Sequence, residues 1–219
     1  HPPPGRDGAE GESEMTNLPE MLGAIVTEGV GFLKTAGVTA GRAALAAYLN
    51  KRAADARDIL FEELRSGHIL PEQVAAEDDG VAVLYGFMRA AWEGKARVNM
   101  RLLAQAIKGQ LQNGTLVADE FFLHAEALSA LSRDEIVLLA ALLRSHEQPG
   151  MNGLWLSCMG ALQAIGWSKD KIVAVASRSL RSGFVTTGSG FGGLVYAPSP
   201  MLFEVCKTVD FDDAMRKEP

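Results

Sequence analysis

SRDEIVLLAALLRSHEQPGMNGLWLSCMGALQAIGWSKDKIVAVASRSLRSGFVTTGSGFGGLVYAP, residues 132–198, is the stretch whose reading decides the fold. It opens on Ser132, Arg133, Asp134 and Glu135, a capping box. The serine oxygen accepts from the Glu135 amide and the glutamate reaches back to the Ser132 amide. The helix so started carries Ile136, Val137, Leu139, Ala140 and Leu143 and is expected to end before Pro149 and Gly150. A second helix is expected over 153–165. Gly166 then permits a tight turn, and Ser168 caps a third helix over 169–181. Two β-rich runs follow, at 184–187 and 194–197, around a glycine-rich tip at 188–193, and this pattern predicts a hairpin.

On a helical wheel the third helix sets Ile172, Val173, Ala176 and Leu180 toward the core. Asp170, Lys171, Ala174, Ser177, Arg178 and Arg181 fall on the other side. The order of Leu180, Gly183, Phe184 and Val185, a wing, and Tyr196 resembles the winged helix-turn-helix of bacterial repressors. That resemblance covers about a third of the chain. It implies a DNA-binding transcription regulator in which the third helix enters a groove, with Lys169, Lys171, Ser177, Arg178 and Arg181 as the contacts. The expected fold class is mainly α, a helical N-terminal region over 15–131 followed by a winged-helix-like module over 132–209 with a small β-hairpin.

Charge bears on the partner. The 219 residues carry a formal net charge of -6, which argues against a polybasic nucleic-acid or membrane-surface protein taken as a whole. Residues 133–185 hold six bases against four acids, a small local excess, but no Arg or Lys stands between Arg181 and Lys207. The two cysteines, Cys158 and Cys206, lie among apolar neighbours and read as reduced core residues of a cytoplasmic protein. The glycine-rich tip lacks the lysine and following helix of a phosphate-binding loop.

Upstream, residues 1–14 are rich in Pro, Gly and Glu and read as a disordered, non-native remnant, with the native start at Met15. Residues 15–131 form the helical region. Within it, 18–48 is apolar with five scattered glycines and reads as a packing or oligomer helix; Glu28, Lys34 and Arg42 interrupt the run, so membrane insertion is the lesser alternative. Leu45, Tyr48, Leu49, Arg52, Ala56, Leu60 and Leu64 recur at helical spacing over 42–66, ended by Gly67. A long helical pattern covers 81–111, with a kink or break expected near Gly94 and Asn99. Arg89, Glu93, Arg97 and Arg101 step along it as a solvated face. A helix is expected over 119–131, where Glu120 and His124 stand at i, i+4 without a third metal ligand. Residues 201–209 read as a short helix or closing strand after Pro198 and Pro200. The remainder, 210–219, reads as a charged, frayed tail.

No nucleophile, base and orienting group assemble, so the chain reads as non-enzymatic, with no cofactor and no metal. Three functions compete. The module binds double-stranded DNA while the N-terminal helices form a homo-oligomer; or it keeps the fold as a contact surface for another protein, which suits the acidic total and uncharged wing; or residues 18–48 associate with a membrane.

Overall fold

The computed structural model describes residue 23 and residues 39–148, 153–190 and 193–218. Apart from Gly23, the packing, oligomer and membrane readings of residues 18–38 lie outside the described residues. The helices are α1 (Thr39–Ser66), α2 (Pro71–Ala76), α3 (Gly80–Trp92), α4 (Arg97–Asn113), α5 (Ala118–Ala130), α6 (Arg133–Glu147), α7 (Leu154–Ala164) and α8 (Lys169–Ser179). A 3-10 turn, Leu180–Ser182, leads into strands β1 (Val185–Gly190) and β2 (Gly193–Pro198); α9 (Pro200–Val205) and α10 (Phe211–Lys217) close the order. The chain is therefore mainly α with one small antiparallel hairpin.

α4 is the axis of the helical region. Met100, Leu102, Leu103, Ala104, Ala106 and Ile107 are all buried, so the helix is covered nearly all round, by α1, α3, α5 and α10. The pattern over 81–111 is two helices, because Gly94 adopts φ 80 and turns the chain between α3 and α4. Asn99, in the first turn of α4, is buried with its amide satisfied: it donates to the Leu128 carbonyl at 2.7 Å and the Leu131 carbonyl at 2.9 Å. Those carbonyls lie at the C-terminal end of α5, which leaves such groups without helical partners.

The capping box at Ser132 and the Ser168 cap of α8 form as the sequence requires. The face of α8 differs from the wheel. Ile172, Val175, Ala176 and Ser179 are buried, while Val173 and Leu180 are 38% and 39% exposed. α8 packs against α6 and α7, and Ser179 enters that interface by donating its hydroxyl back to the Val175 carbonyl at 2.9 Å. The hairpin also runs further than expected. Its register pairs Val185 with Pro198 and Gly190 with Gly193, so both strands extend into the glycine-rich segment.

Residues 201–209 include the short helix α9, capped by Ser199 with Pro200 in its first turn. The tail expected to fray is α10 instead. Asp210 accepts from the Asp213 amide, Asp212 and Asp213 occupy the first turn, and Arg216 and Lys217 the last, matching the helix dipole at both ends. Phe211 and Ala214, one turn apart, are buried, and the Phe211 ring meets Phe184 edge-on at 6.5 Å. A single hydrophobic cluster consequently runs from Ala53 in α1 to Ala214 in α10.

One close approach sets the spacing between α4 and the segment after α9. A Cβ placed on Gly109 would lie 2.4 Å from Thr208 Cβ and 2.6 Å from its Cα. Gly109→Ala is expected to destabilise the protein by about 1–3 kcal/mol through overpacking, despite the better helix propensity of alanine. A urea titration with an unchanged midpoint would show that the contact yields freely.

Candidate binding surface of the C-terminal module

Each residue expected to contact DNA has a definite place. Lys169 is the first residue of α8, exposed, and forms no ion pair among the described residues. Lys171 lies 3.1 Å from the Asp134 carboxylate and 4.2 Å above the Trp167 ring, so its ammonium is held by charge and by the ring face. Ser177 shares a 2.5 Å hydrogen bond with the Tyr196 hydroxyl across to β2, and Tyr196 itself packs on Trp155 at 4.9 Å.

Arg178 and Arg181 converge on the start of α6. Arg178 donates to the Ser132 hydroxyl at 2.9 Å, with its Nε 3.7 Å from Glu135. Arg181 donates from one Nη2 to the Ala130 carbonyl at 3.2 Å and to both Glu135 oxygens, at 3.1 and 3.3 Å. Glu135 has no exposed surface. Burial alone pushes its carboxyl up; the Ser132 amide and hydroxyl together with Arg181 overcome that and hold it below the usual carboxylate range. The structure thus brings Arg178 and Arg181 together, leaves Lys169 and Lys171 at the opposite end of α8, and turns three of the four cations, all but Lys169, toward the protein's own acids. The sequence signalled Glu135 only as a helix cap. Its second role as a counterion bridges more than forty positions, a separation on which helical spacing is silent.

A second ionic group was not legible at all. Arg101, read as part of a solvated face, is 2% exposed. It pairs with Glu63 at 3.2 Å, Glu62 at 2.8 Å and Glu218 at 2.6 Å. Lys108 and Lys217 reach Glu63 at 2.6 and 2.8 Å, and Arg97 reaches Glu218 at 2.8 Å. Of the expected stripe only Arg89 and Glu93 form their i, i+4 pair, at 2.8 Å; Arg97 turns to Glu218 and Asp55 rather than to Glu93. The group ties α1, α4 and α10 together and has no geometry for chemistry beyond charge pairing.

The remaining candidates are modest. No group of three or more His, Cys, Asp or Glu able to hold a metal occurs among the described residues. His124 is held below the usual histidine range by burial, which outweighs Glu120 and Glu204, and with both it lines a cleft of about 470 Å³. Cys158 and Cys206 are free thiols pushed up to about 12, chiefly by burial, which makes them poor nucleophiles. No helix of the described residues is long and apolar enough to cross a membrane. A cavity of about 350 Å³ lies beside Arg181, between α5, the 3-10 turn and α9. The chain matches no described protein family, no curated protein and no solved structure.

Proposed function

We propose that the unit from α6 to β2 is a winged-helix-like module that serves as a non-enzymatic protein-contact surface and does not bind DNA. The observation that carries this reading is the placement of its cations. Lys171 is paired to Asp134, and Arg178 and Arg181 surround the buried Glu135. Affinity for a duplex rests on lysine and arginine reaching phosphates, and the hairpin supplies neither residue type. What α8 leaves to solvent is Lys169, Asp170, Lys171, Val173, Ala174, Ser177 and Arg178, and of its three cations Lys171 and Arg178 are paired to acids of α6. Leu156 and Ile165 of the α7 segment and Leu194 of β2 are 53%, 62% and 58% exposed, apolar side chains of the kind a protein contact would cover. Two cysteines kept as free thiols suit a reducing, cytoplasmic setting. Self-association through residues 18–48 belongs to the same reading, supported at the described end of α1 by Leu45 and Tyr48, 44% and 50% exposed.

Anisotropy of a labelled mixed-sequence duplex, titrated across a salt series, decides between the two partners. The expected result is no binding at low salt up to roughly 100 μM, where nonspecific complexes of DNA-binding proteins form. The side chains of Arg178 and Arg181 are 48% and 56% exposed, which is the observation that favours a regulator. Binding that falls steeply with salt and weakens in an Arg178→Ala, Arg181→Ala variant would overturn the protein-contact reading and restore the DNA-binding regulator.

A further inference from the structure

We infer that the cavity between α5, the 3-10 turn and α9 is a binding site for a small monocarboxylate with a short apolar tail. Its walls are Leu123, Ala127, Ala130, Leu131 and Met201, and its volume of about 350 Å³ falls at the lower end of the roughly 300–1,000 Å³ usual for ligand sites. Apolar walls alone would take any small hydrophobe. The chemistry is set by Arg181, which lines the same space.

Two guanidiniums, Arg178 and Arg181, flank one buried carboxylate, Glu135; of the three only Arg181 lines the cavity, together with Glu126. Arg181 is anchored through its Nη2 to Glu135 and to the Ala130 carbonyl. Its Nε and Nη1 donate to nothing among the described residues, and an anchored guanidinium loses little further freedom on accepting an anion. A ligand carboxylate meets these donors while its tail covers the alanine and methionine walls, a charge-assisted contact beside apolar side chains. Ser182 is not a competing donor, since its hydroxyl donates to the Ser179 carbonyl at 2.7 Å.

Glu126 also lines the cavity and forms no ion pair among the described residues. It places a negative charge in the same space, so a second carboxylate at the far end of a ligand would meet a like charge. The site therefore prefers a monoacid to a diacid of the same length, and an acid to the matching alcohol.

The test is a two-dimensional amide NMR titration of the full chain with hexanoate, hexanol and adipate in turn. Hexanoate is expected to shift the amides of Ala127, Ala130, Ser182 and Met201 with a dissociation constant of about millimolar, as befits so small a ligand. Hexanol and adipate should bind roughly tenfold more weakly, the scale of one charge-assisted hydrogen bond. Arg181→Gln should erase the preference for hexanoate over hexanol. Ala127→Phe, which fills the cavity and leaves the Glu135 group intact, should abolish binding of both. Equal shifts by hexanoate and hexanol in the unmodified protein, no shift of these amides, or undiminished binding by the Ala127→Phe variant would each overturn the inference.

Discussion

Replacing Glu63 with leucine is expected to lower folding stability by about 3–5 kcal/mol, the usual cost of removing one partner from a buried ion pair. Glu63 has no exposed surface and accepts from Arg101, Lys108 and Lys217. Burial pushes its carboxyl up, but hydrogen bonds from Lys108 and Lys217 and their charges bring it below the usual carboxylate range, so it is ionised at neutral pH. Leucine leaves Arg101, itself 2% exposed, with one carboxylate fewer and with an Nε that already has no hydrogen-bond partner. The control is Glu93→Ala, which breaks the exposed Arg89–Glu93 pair and should cost less than about 1 kcal/mol. Urea midpoints for the two variants measure the contrast. If Glu63→Leu costs no more than Glu93→Ala, the ionic group contributes nothing that leucine packing cannot replace.

What the sequence made legible follows from the range of the signals. Capping at Ser132 and Ser168, the Gly94 break and the helix–helix–helix–hairpin order are written within a few residues of where they act, and each is present. Pairings across the fold are not written that way. Arg101 stands at four-residue spacing from Arg97, the signature of a wet helix face, yet its partners are Glu63 in α1 and Glu218 just after α10, both distant in sequence. Hydrophobic spacing also misplaced part of the α8 face: it set Val173 and Leu180 toward the core and did not place Val175 or Ser179, both of which are buried. A serine that satisfies its own hydroxyl within the helix can be buried without an outside partner.

The same blindness bears on the binding surface. Lys169, Lys171, Ser177, Arg178 and Arg181 were chosen because they share one side of a helix and carry donors. On the fold, three of them donate internally, to Asp134, Ser132 and Glu135, and Ser177 shares a hydrogen bond with Tyr196. The counterions of this basic helical face stand on a different helix, α6. Arg178 and Arg181 sit one turn apart, so a single buried carboxylate at the start of α6 can hold both, which ties the last turn of α8 to the N-terminus of α6.

Ending the chain after Val209 is expected to abolish cooperative folding, although the removed residues read in sequence as a charged tail. The deletion uncovers the α4 and α6 surfaces on which α10 packs. It removes Phe211, 2% exposed, whose loss alone is of the order of 3–5 kcal/mol for a buried phenylalanine. It also removes Glu218 and Lys217, the former accepting from Arg97 and Arg101 and the latter donating to Glu63, so Arg101 is left buried with an incomplete set of counterions. These losses are not strictly additive, but together they rival the roughly 5–15 kcal/mol that holds a typical domain folded. Thermal unfolding followed by near-ultraviolet circular dichroism would show no sharp transition in the shortened chain. A melting temperature within a few degrees of the full chain would mean that α10 rests on a core already complete without it, and would demote the Glu63–Arg101–Glu218 group from a tie between chain ends to a surface ornament of α1 and α4.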